Sequence, residues 1–160
     1  MYTDQVLCPD SFPWRFSNIV ASEKNLIEVM FSNDKIITNP NKITDLCKYQ
    51  LNLYFSRELT SFSLPIISQG TVFSSAVYDE LLRIPFGSTK TYKDIAITLG
   101  SPKKSRPVGH ACSLNKISII VPCHRVISSS GGLTGYAGGI KTKEWLLKHE
   151  SQLKYKPTEY

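Results

Sequence analysis

The chain has 160 residues, of which 41% are hydrophobic and 20% are charged, a composition that suits one globular domain or two small ones. No stretch is long and apolar enough to cross a membrane, and the N-terminus lacks the basic and apolar segments of a secretory signal. These features exclude a membrane protein and predict a soluble protein of the cytoplasm, or of the nucleus in a eukaryote.

The cysteines show no pattern of a metal or disulfide site. Cys8, Cys47, Cys112 and Cys123 contain no CxxC pair and are too widely spaced for a dense disulfide framework. In a reducing compartment they are predicted to be free thiols. The sequence predicts no metal site and no cofactor.

The charge is distributed unevenly along the chain. Residues 1–70 carry six Lys and Arg against seven Asp and Glu, whereas residues 71–160 carry thirteen against six. No acidic residue occurs between Asp94 and Glu144. A charge run is often only a solvated face, but this one extends over half of the chain and therefore favours a polyanionic partner, above all a nucleic acid.

Residues 1–70 predict a small α/β domain. The apolar pattern favours strands over residues 14–20 and 26–31, with further short strands over 34–38 and 62–67. After an Asn-Pro-Asn turn, apolar residues recur at helical spacing from 43 to 55. No chemical motif occurs here, so this domain is predicted to be a scaffold.

Residues 71–160 predict a second domain, built from short helices. The apolar spacing indicates helices over residues 73–84, 91–99 and 106–114. Thr91 and Asp94 form a capping box at the start of the second helix, and Pro107 is tolerated only in the first turn of the third. The basic turn between these helices matches a helix-turn-helix, although two adjacent helices more often only pack together.

The most distinctive stretch is residues 117–127, where β-branched apolar runs flank Pro122-Cys123-His124-Arg125. The runs predict a buried strand that ends or bends at the proline. His124 could activate the Cys123 thiol, and Glu150 could orient the histidine. From these residues alone, a structural thiol fits as well as a catalytic one. A glycine-rich loop over 128–139 and a helix over 141–150 are predicted to follow.

The colinear motifs between residues 70 and 150 resemble the O6-alkylguanine-DNA alkyltransferase family. Beyond the helix spacing, the resemblance lies in Arg106-x-Val108-Gly109 with Asn115, Pro122-Cys123-His124-Arg125-Val126, Gly135-Tyr136-x-Gly138-Gly139 and Lys143-x-x-Leu146-Leu147-x-x-Glu150. It implies an α+β fold: an N-terminal ribonuclease-H-like α/β domain (1–70), then a mostly helical alkyltransferase domain of the winged-helix or helix-turn-helix type (71–160).

The resemblance implies direct repair of double-stranded DNA that contains O6-alkylguanine, with O4-alkylthymine as a further substrate to test. A monomer would transfer the alkyl group from the flipped-out base to its own cysteine, irreversibly and once, without a cofactor. Cys123 is the implied acceptor. His124 would take its proton through a water molecule, and Glu150 would orient His124.

The other implied roles concern the DNA. Asn115 would connect the recognition helix to the site, and Tyr92 would rotate the nucleotide outward and protonate the departing guanine. Arg106 would fill the gap left in the duplex. From the residues themselves, Lys103 and Lys104 in the basic turn are predicted to bind DNA, and Arg125 is predicted to be structural or to contact a phosphate. Tyr136, Gly138 and Val126 are the implied walls of the base pocket.

Two positions depart from the family pattern, and two other functions stay open. Pro107 replaces a small residue and Lys116 replaces a proline, which affects DNA contacts but not the acceptor. Cys123 argues against the related lesion-binding proteins that carry tryptophan there.

The alternatives are a non-catalytic DNA-binding module with Cys123 buried, and a cysteine hydrolase that uses Cys123 and His124.

Overall fold

The computed structural model describes residues 1–133 and 135–154. The chain divides into two compact units. The first contains residues 1–68 and the short segment 116–118, and the second contains residues 69–115 and the chain from 119 onward. No helix among the described residues has the length and apolar character that a membrane span requires.

The first unit is a three-stranded antiparallel sheet followed by one helix. Its strands are β1 (Tyr2–Leu7), β2 (Phe16–Ala21) and β3 (Leu26–Ser32), in the order β1-β2-β3. Helix α1 (Lys42–Phe55) begins at Asn41, whose side chain accepts hydrogen bonds from two backbone N–H groups of the first turn. The strands predicted over 14–20 and 26–31 and the helix over 43–55 are confirmed.

Two strand predictions for this unit were wrong, and one strand was missed. Residues 34–38 and 62–67 form no strand, and the chain there makes only the isolated bridges Thr3–Asn39 and Leu26–Ile66. Strand β1 was not predicted. Its inward face combines Val6 with the buried Asp4, so the alternation of apolar and polar residues that marks a half-buried strand is absent from the sequence.

The second unit contains four helices and a two-stranded parallel ribbon. The helices are α2 (Val72–Leu81), α3 (Tyr92–Thr98), α4 (Ser105–Ser113) and α5 (Ile140–Lys154), and the ribbon pairs β4 (Lys90–Thr91) with β5 (Val126–Ile127). The 3₁₀ turn Pro102–Lys104 connects α3 to α4. Pro107 lies in the first turn of α4, as predicted. The ribbon brings the start of α3 beside the segment that carries Cys123.

The strand predicted from residue 117 up to Pro122 does not form, although residues 117–126 are buried. The bend predicted at Pro122 is confirmed. Ile117 makes one bridge to Val29, and the chain then turns at Ile119, which has a φ of +72°. This left-handed conformation is strained for a β-branched residue and ends any extended run. After Pro122, a 3₁₀ turn over Cys123–Arg125 leads into β5. Apolar composition therefore indicated burial here, but not backbone conformation.

We expect Thr91→Ala to lower the free energy of unfolding of the second unit by about 1 kcal/mol, a typical effect of losing an N-cap. Thr91 Oγ1 accepts the Asp94 N–H at 3.0 Å, and the Asp94 carboxylate accepts the Thr91 N–H at 2.9 Å. Thr98→Ala is the matched control, because it makes the same change at the exposed end of the same helix. Urea denaturation of both variants measures the difference, and equal effects would contradict the capping role.

Candidate active site around Cys123

Cys123 lies in the 3₁₀ turn, and its thiol is almost fully buried, with 3% of the residue exposed. Its Sγ accepts a hydrogen bond from Asn115 Nδ2 at 3.2 Å. Asn115 follows the end of α4, and its Nδ2 also donates to the Val121 carbonyl at 3.0 Å. One amide group therefore joins the end of α4, the segment before Pro122 and the reactive sulfur.

Burial raises the pKa of the Cys123 thiol to about 11, against the opposing effects of the Asn115 hydrogen bond and the positive charge of Lys143. At neutral pH the resting group is thus a thiol rather than a thiolate. Because the thiolate is the reactive form, the site needs a group that accepts the proton.

His124 is the nearest such group, and it is completely buried. Its Nε2 lies 2.7 Å from Glu150 Oε2. A carboxylate only accepts hydrogen bonds, so Nε2 carries the proton and Nδ1 carries the lone pair. Nδ1 makes no hydrogen bond to any described residue. Burial lowers the pKa of His124, with Glu150 acting in the opposite direction, which leaves a neutral imidazole with an available lone pair.

Arg125 completes the charge cluster around Glu150. Its Nε and Nη2 donate to the two carboxylate oxygens at 2.8 and 3.2 Å, and its Nη1 donates to the Ile84 carbonyl at 2.7 Å. Burial alone would raise the pKa of Glu150, but its contacts with His124 and Arg125 hold it well below the usual range. Arg125 is 7% exposed, so the phosphate contact predicted for it does not agree with the structure.

Lys143 is a site residue that the sequence reasoning missed. It is fully buried in α5, and its Nζ donates to the Val126 carbonyl at 2.6 Å and to the Tyr92 hydroxyl at 3.4 Å. Burial lowers the pKa of Lys143, while the nearby thiols Cys123 and Cys112 raise it. The signal was available, because residues 143, 146 and 150 have the i, i+3, i+7 spacing of one helix face.

Tyr92 and Arg106 meet at an open cavity of about 500 Å³. Tyr92 begins α3, and its ring lies 3.8 Å from where a Cβ of Gly109 in α4 would stand. The remaining residues of the cavity wall come from α3, α4 and the glycine-rich loop, and are Lys93, Ser105, Ser128, Ser129 and Gly135. The wall of this cavity thus combines one aromatic ring with two cationic and three hydroxyl side chains.

The remaining predicted site residues occupy different environments. The rings of Tyr136 and His124 lie edge to face with centroids 6.4 Å apart. Gly138, two residues after Tyr136, and Val126, two residues after His124, are both buried. Lys104 donates to the Leu99 carbonyl at 2.7 Å. Lys103 is exposed.

The residues described provide no metal site: in the ranges 1–133 and 135–154, no three His, Cys, Asp or Glu side chains are grouped closely enough to bind an ion.

Comparison with known proteins agrees with this geometry. The family described as "6-O-methylguanine DNA methyltransferase, DNA binding domain" matches residues 72–152. The methylated-DNA–protein-cysteine methyltransferase of Methanosarcina barkeri is 52% identical over 101 residues, which are 63% of this chain and 64% of that protein. The aligned segment thus spans somewhat less than two thirds of that relative.

Solved structures match over nearly the whole chain. The crystal structure of Mycobacterium tuberculosis O6-methylguanine methyltransferase has a TM-score of 0.81 and 36% identity, covering 98% of this chain and 96% of that one. The structure of Mycobacterium tuberculosis OGT in complex with DNA has a TM-score of 0.83 and 36% identity, covering 96% and 94%.

The fold and the site together define the class of this protein. It contains a DNA-binding domain of the alkyltransferase type, in which a buried cysteine lies beside a His–Glu pair. Since the family match includes 81 of the 160 residues, the chain belongs to the 6-O-methylguanine DNA methyltransferase family.

The cluster predicts a loss of stability in acid. A lowered folded-state pKa means that the unfolded chain binds more protons, so stability falls as pH falls. For His124 the loss begins below its ordinary pKa of 6.5, and for Glu150 below its ordinary pKa of 4.5. We expect the free energy of unfolding to fall by about 1.4 kcal/mol per pH unit and per group within those windows.

Urea denaturation between pH 7.5 and 4.5 measures the His124 part of this dependence, and its continuation below pH 4.5 measures the Glu150 part. In His124→Gln the first part of the decline should be missing, since a neutral amide does not titrate. An unchanged slope in this variant would contradict a buried neutral His124.

Proposed function

We propose that the protein repairs O6-alkylguanine in double-stranded DNA by transferring the alkyl group to Cys123. The observation that carries this proposal is the pairing of a buried thiol with a neutral imidazole whose Nε2 is held by Glu150. The family membership and the relatives' names support the same reaction. O4-alkylthymine is a further substrate to test, because its O4–alkyl bond is open to the same attack.

In the proposed reaction His124 Nδ1 takes the thiol proton through a bridging water molecule. The sulfur then attacks the alkyl carbon, forming the S–C bond as the C–O6 bond breaks and its electron pair passes to guanine. Asn115 and Lys143 stabilise the negative charge as it develops on sulfur. Glu150, kept ionised by Arg125, stabilises the imidazolium that forms.

The departing guanine needs a proton, and Tyr92 is the proposed donor. The Lys143 ammonium, 3.4 Å from the Tyr92 hydroxyl, stabilises the phenolate that the transfer leaves. Lys143 thus interacts with both the attacking and the leaving sides of the reaction. The product is a thioether whose sulfur has no easy route back to a thiolate, so each molecule acts once.

Access to the base requires that the nucleotide leave the duplex, at a cost of a few kcal/mol. We propose that α3, the Pro102–Lys104 turn and α4 act as a helix-turn-helix, with α4 in the groove and Arg106 in the gap of the displaced base. Lys103 and Lys104 would contact phosphates, and Tyr136, Gly138 and Val126 would enclose the base. The first unit, three antiparallel strands and a helix, would be a reduced ribonuclease-H-like scaffold.

The central test mixes the protein with a duplex oligonucleotide containing one O6-methylguanine and measures the intact protein mass. We expect a gain of one methylene group, mapped to Cys123 by peptide analysis, with at most one equivalent per molecule. Cys123→Ala should show no gain and should still bind the duplex, with an affinity that falls as salt rises.

Two other results would support the alternative functions instead. An unchanged mass together with tight binding to the lesion would indicate a non-catalytic binding module. Repeated turnover of a thioester or a peptide would indicate a cysteine hydrolase.

We expect Lys143→Met to slow methyl transfer about tenfold at neutral pH, because losing the ammonium raises the thiol pKa and depletes the thiolate. The apparent pKa of the pH–rate profile should rise, so that the deficit shrinks in alkaline buffer. Single-turnover rates at saturating DNA measure the effect. Lys141→Met is the matched control, since Lys141 is exposed on the same helix and carries the same charge. Equal loss in both variants would contradict a local role for Lys143.

A further inference from the structure

Gln69 stands one hydrogen bond behind the contact between Asn115 and Cys123. Its Nε2 donates to Asn115 Oδ1 at 3.1 Å, while Asn115 Nδ2 donates to the Cys123 sulfur at 3.2 Å. We propose that Gln69 is a positioning residue for alkyl transfer, and that it acts on Cys123 through the amide of Asn115. This inference rests on the proposed function and extends it to a residue outside the cysteine motif.

The position of Gln69 is fixed by the start of α2. The Ser75 hydroxyl donates to the Gln69 carbonyl at 3.1 Å. The next residue, Gly70, has a φ of +66°, and a Cβ there would lie 3.2 Å from the Ser74 Cβ. Thr71 then caps α2 by accepting the Ser74 N–H at 3.1 Å. These contacts hold the backbone of Gln69 in place, so its side chain can act as a fixed donor.

The Asn115 amide needs a donor on its oxygen side. Asn115 is 3% exposed, and its Nδ2 is committed to the Val121 carbonyl and the Cys123 sulfur. Both partners are acceptors, so the amide must keep its oxygen on the far side, where Gln69 donates. A buried carbonyl oxygen without a donor is unfavourable. Gln69 therefore stabilises the one amide orientation that presents N–H to sulfur.

The contact also strengthens the hydrogen bond to sulfur. Donation to an amide oxygen polarises the amide and makes its N–H a better donor, an effect that is larger in a buried, low-dielectric site. Negative charge appears on Cys123 only during the reaction, so the polarised donor favours the reacting state over the resting thiol.

Other groups also influence the Cys123 thiol, from each element packed around it. They are His124 in the same turn, Lys143 on α5, Cys112 on α4 and Tyr78 on α2. Gln69, by contrast, is connected to the thiol through its own hydrogen bond to the Asn115 oxygen. An effect of Gln69 that requires Asn115 is therefore distinguishable from an effect on these groups.

The test uses Gln69→Met, which keeps the side-chain length and removes the donor. We expect the single-turnover rate of methyl transfer at saturating O6-methylguanine duplex to fall about fivefold at neutral pH, because a weaker Asn115 donor lowers the thiolate population. The pH–rate profile should shift to higher pH. Duplex affinity, measured in the Cys123→Ser background, should change less than twofold. A slower rate with an unshifted profile, or a loss of affinity instead of rate, would overturn the proposal.

A double-mutant cycle with Asn115→Ala tests the route of the effect. In the Asn115→Ala background, Gln69→Met should change the rate less than 1.5-fold. The effects of two substitutions add when the residues act independently, and they do not add when one residue acts through the other. The same fivefold loss in both backgrounds would show that Gln69 acts on the site by another path.

Gln50→Met is the matched control for the loss of a buried amide. Gln50 Nε2 donates to the Ser63 carbonyl at 3.0 Å, and its Oε1 accepts the Ser63 N–H at 2.9 Å, within the first unit. It should lower stability without changing the rate or the pH profile. Absence of methyl transfer in the wild-type protein would reject the proposed function itself, whereas normal transfer by Gln69→Met would reject only the role of Gln69.

Discussion

The site depends on one buried carboxylate, Glu150, which is shared by an imidazole and a guanidinium group. Burying three ionisable side chains together is unfavourable unless their charges and hydrogen bonds are matched. The fork of Arg125 supplies that match for Glu150, and Glu150 in turn fixes which nitrogen of His124 carries the proton. Glu150 thereby leaves Nδ1 of His124 as the nitrogen that can accept a proton, although the two residues lie 26 positions apart in the chain.

The same principle applies around the sulfur. A buried cysteine is normally an inert thiol because burial disfavours the anion. Here Asn115 and Lys143 counter that effect from two directions, through a hydrogen bond and through a buried positive charge. The thiol stays protonated at rest and becomes reactive when a base accepts its proton. This arrangement suits the single-use alkyl acceptor proposed for Cys123, because burial also protects the thiol from adventitious alkylation.

Backbone conformation explains how these groups meet. The left-handed Ile119 and the following Pro122 convert an apolar segment into a turn, and the 3₁₀ turn then places three consecutive functional residues in the interior. An extended strand would have directed Cys123 and Arg125 to one face and His124 to the other. The bend at Pro122 was predicted, whereas the strand predicted before it was wrong. β-branched composition records burial, while the turn at Ile119 depends on long-range packing that overrides local preference.

The sequence by itself determined the helices of the second unit, the cap at Thr91 and the motif that carries Cys123, because these depend on contacts within a few residues. It also determined the family, through the spacing of its motifs. Only the tertiary structure decided that Arg125 is a buried partner of Glu150, that Lys143 lies between Tyr92 and the thiol, and that Gln69 supports Asn115. Each of these is a contact between residues that are distant in the chain. Tertiary packing decides whether a charged or amide side chain contacts a partner or solvent, and the local sequence pattern does not predict that packing.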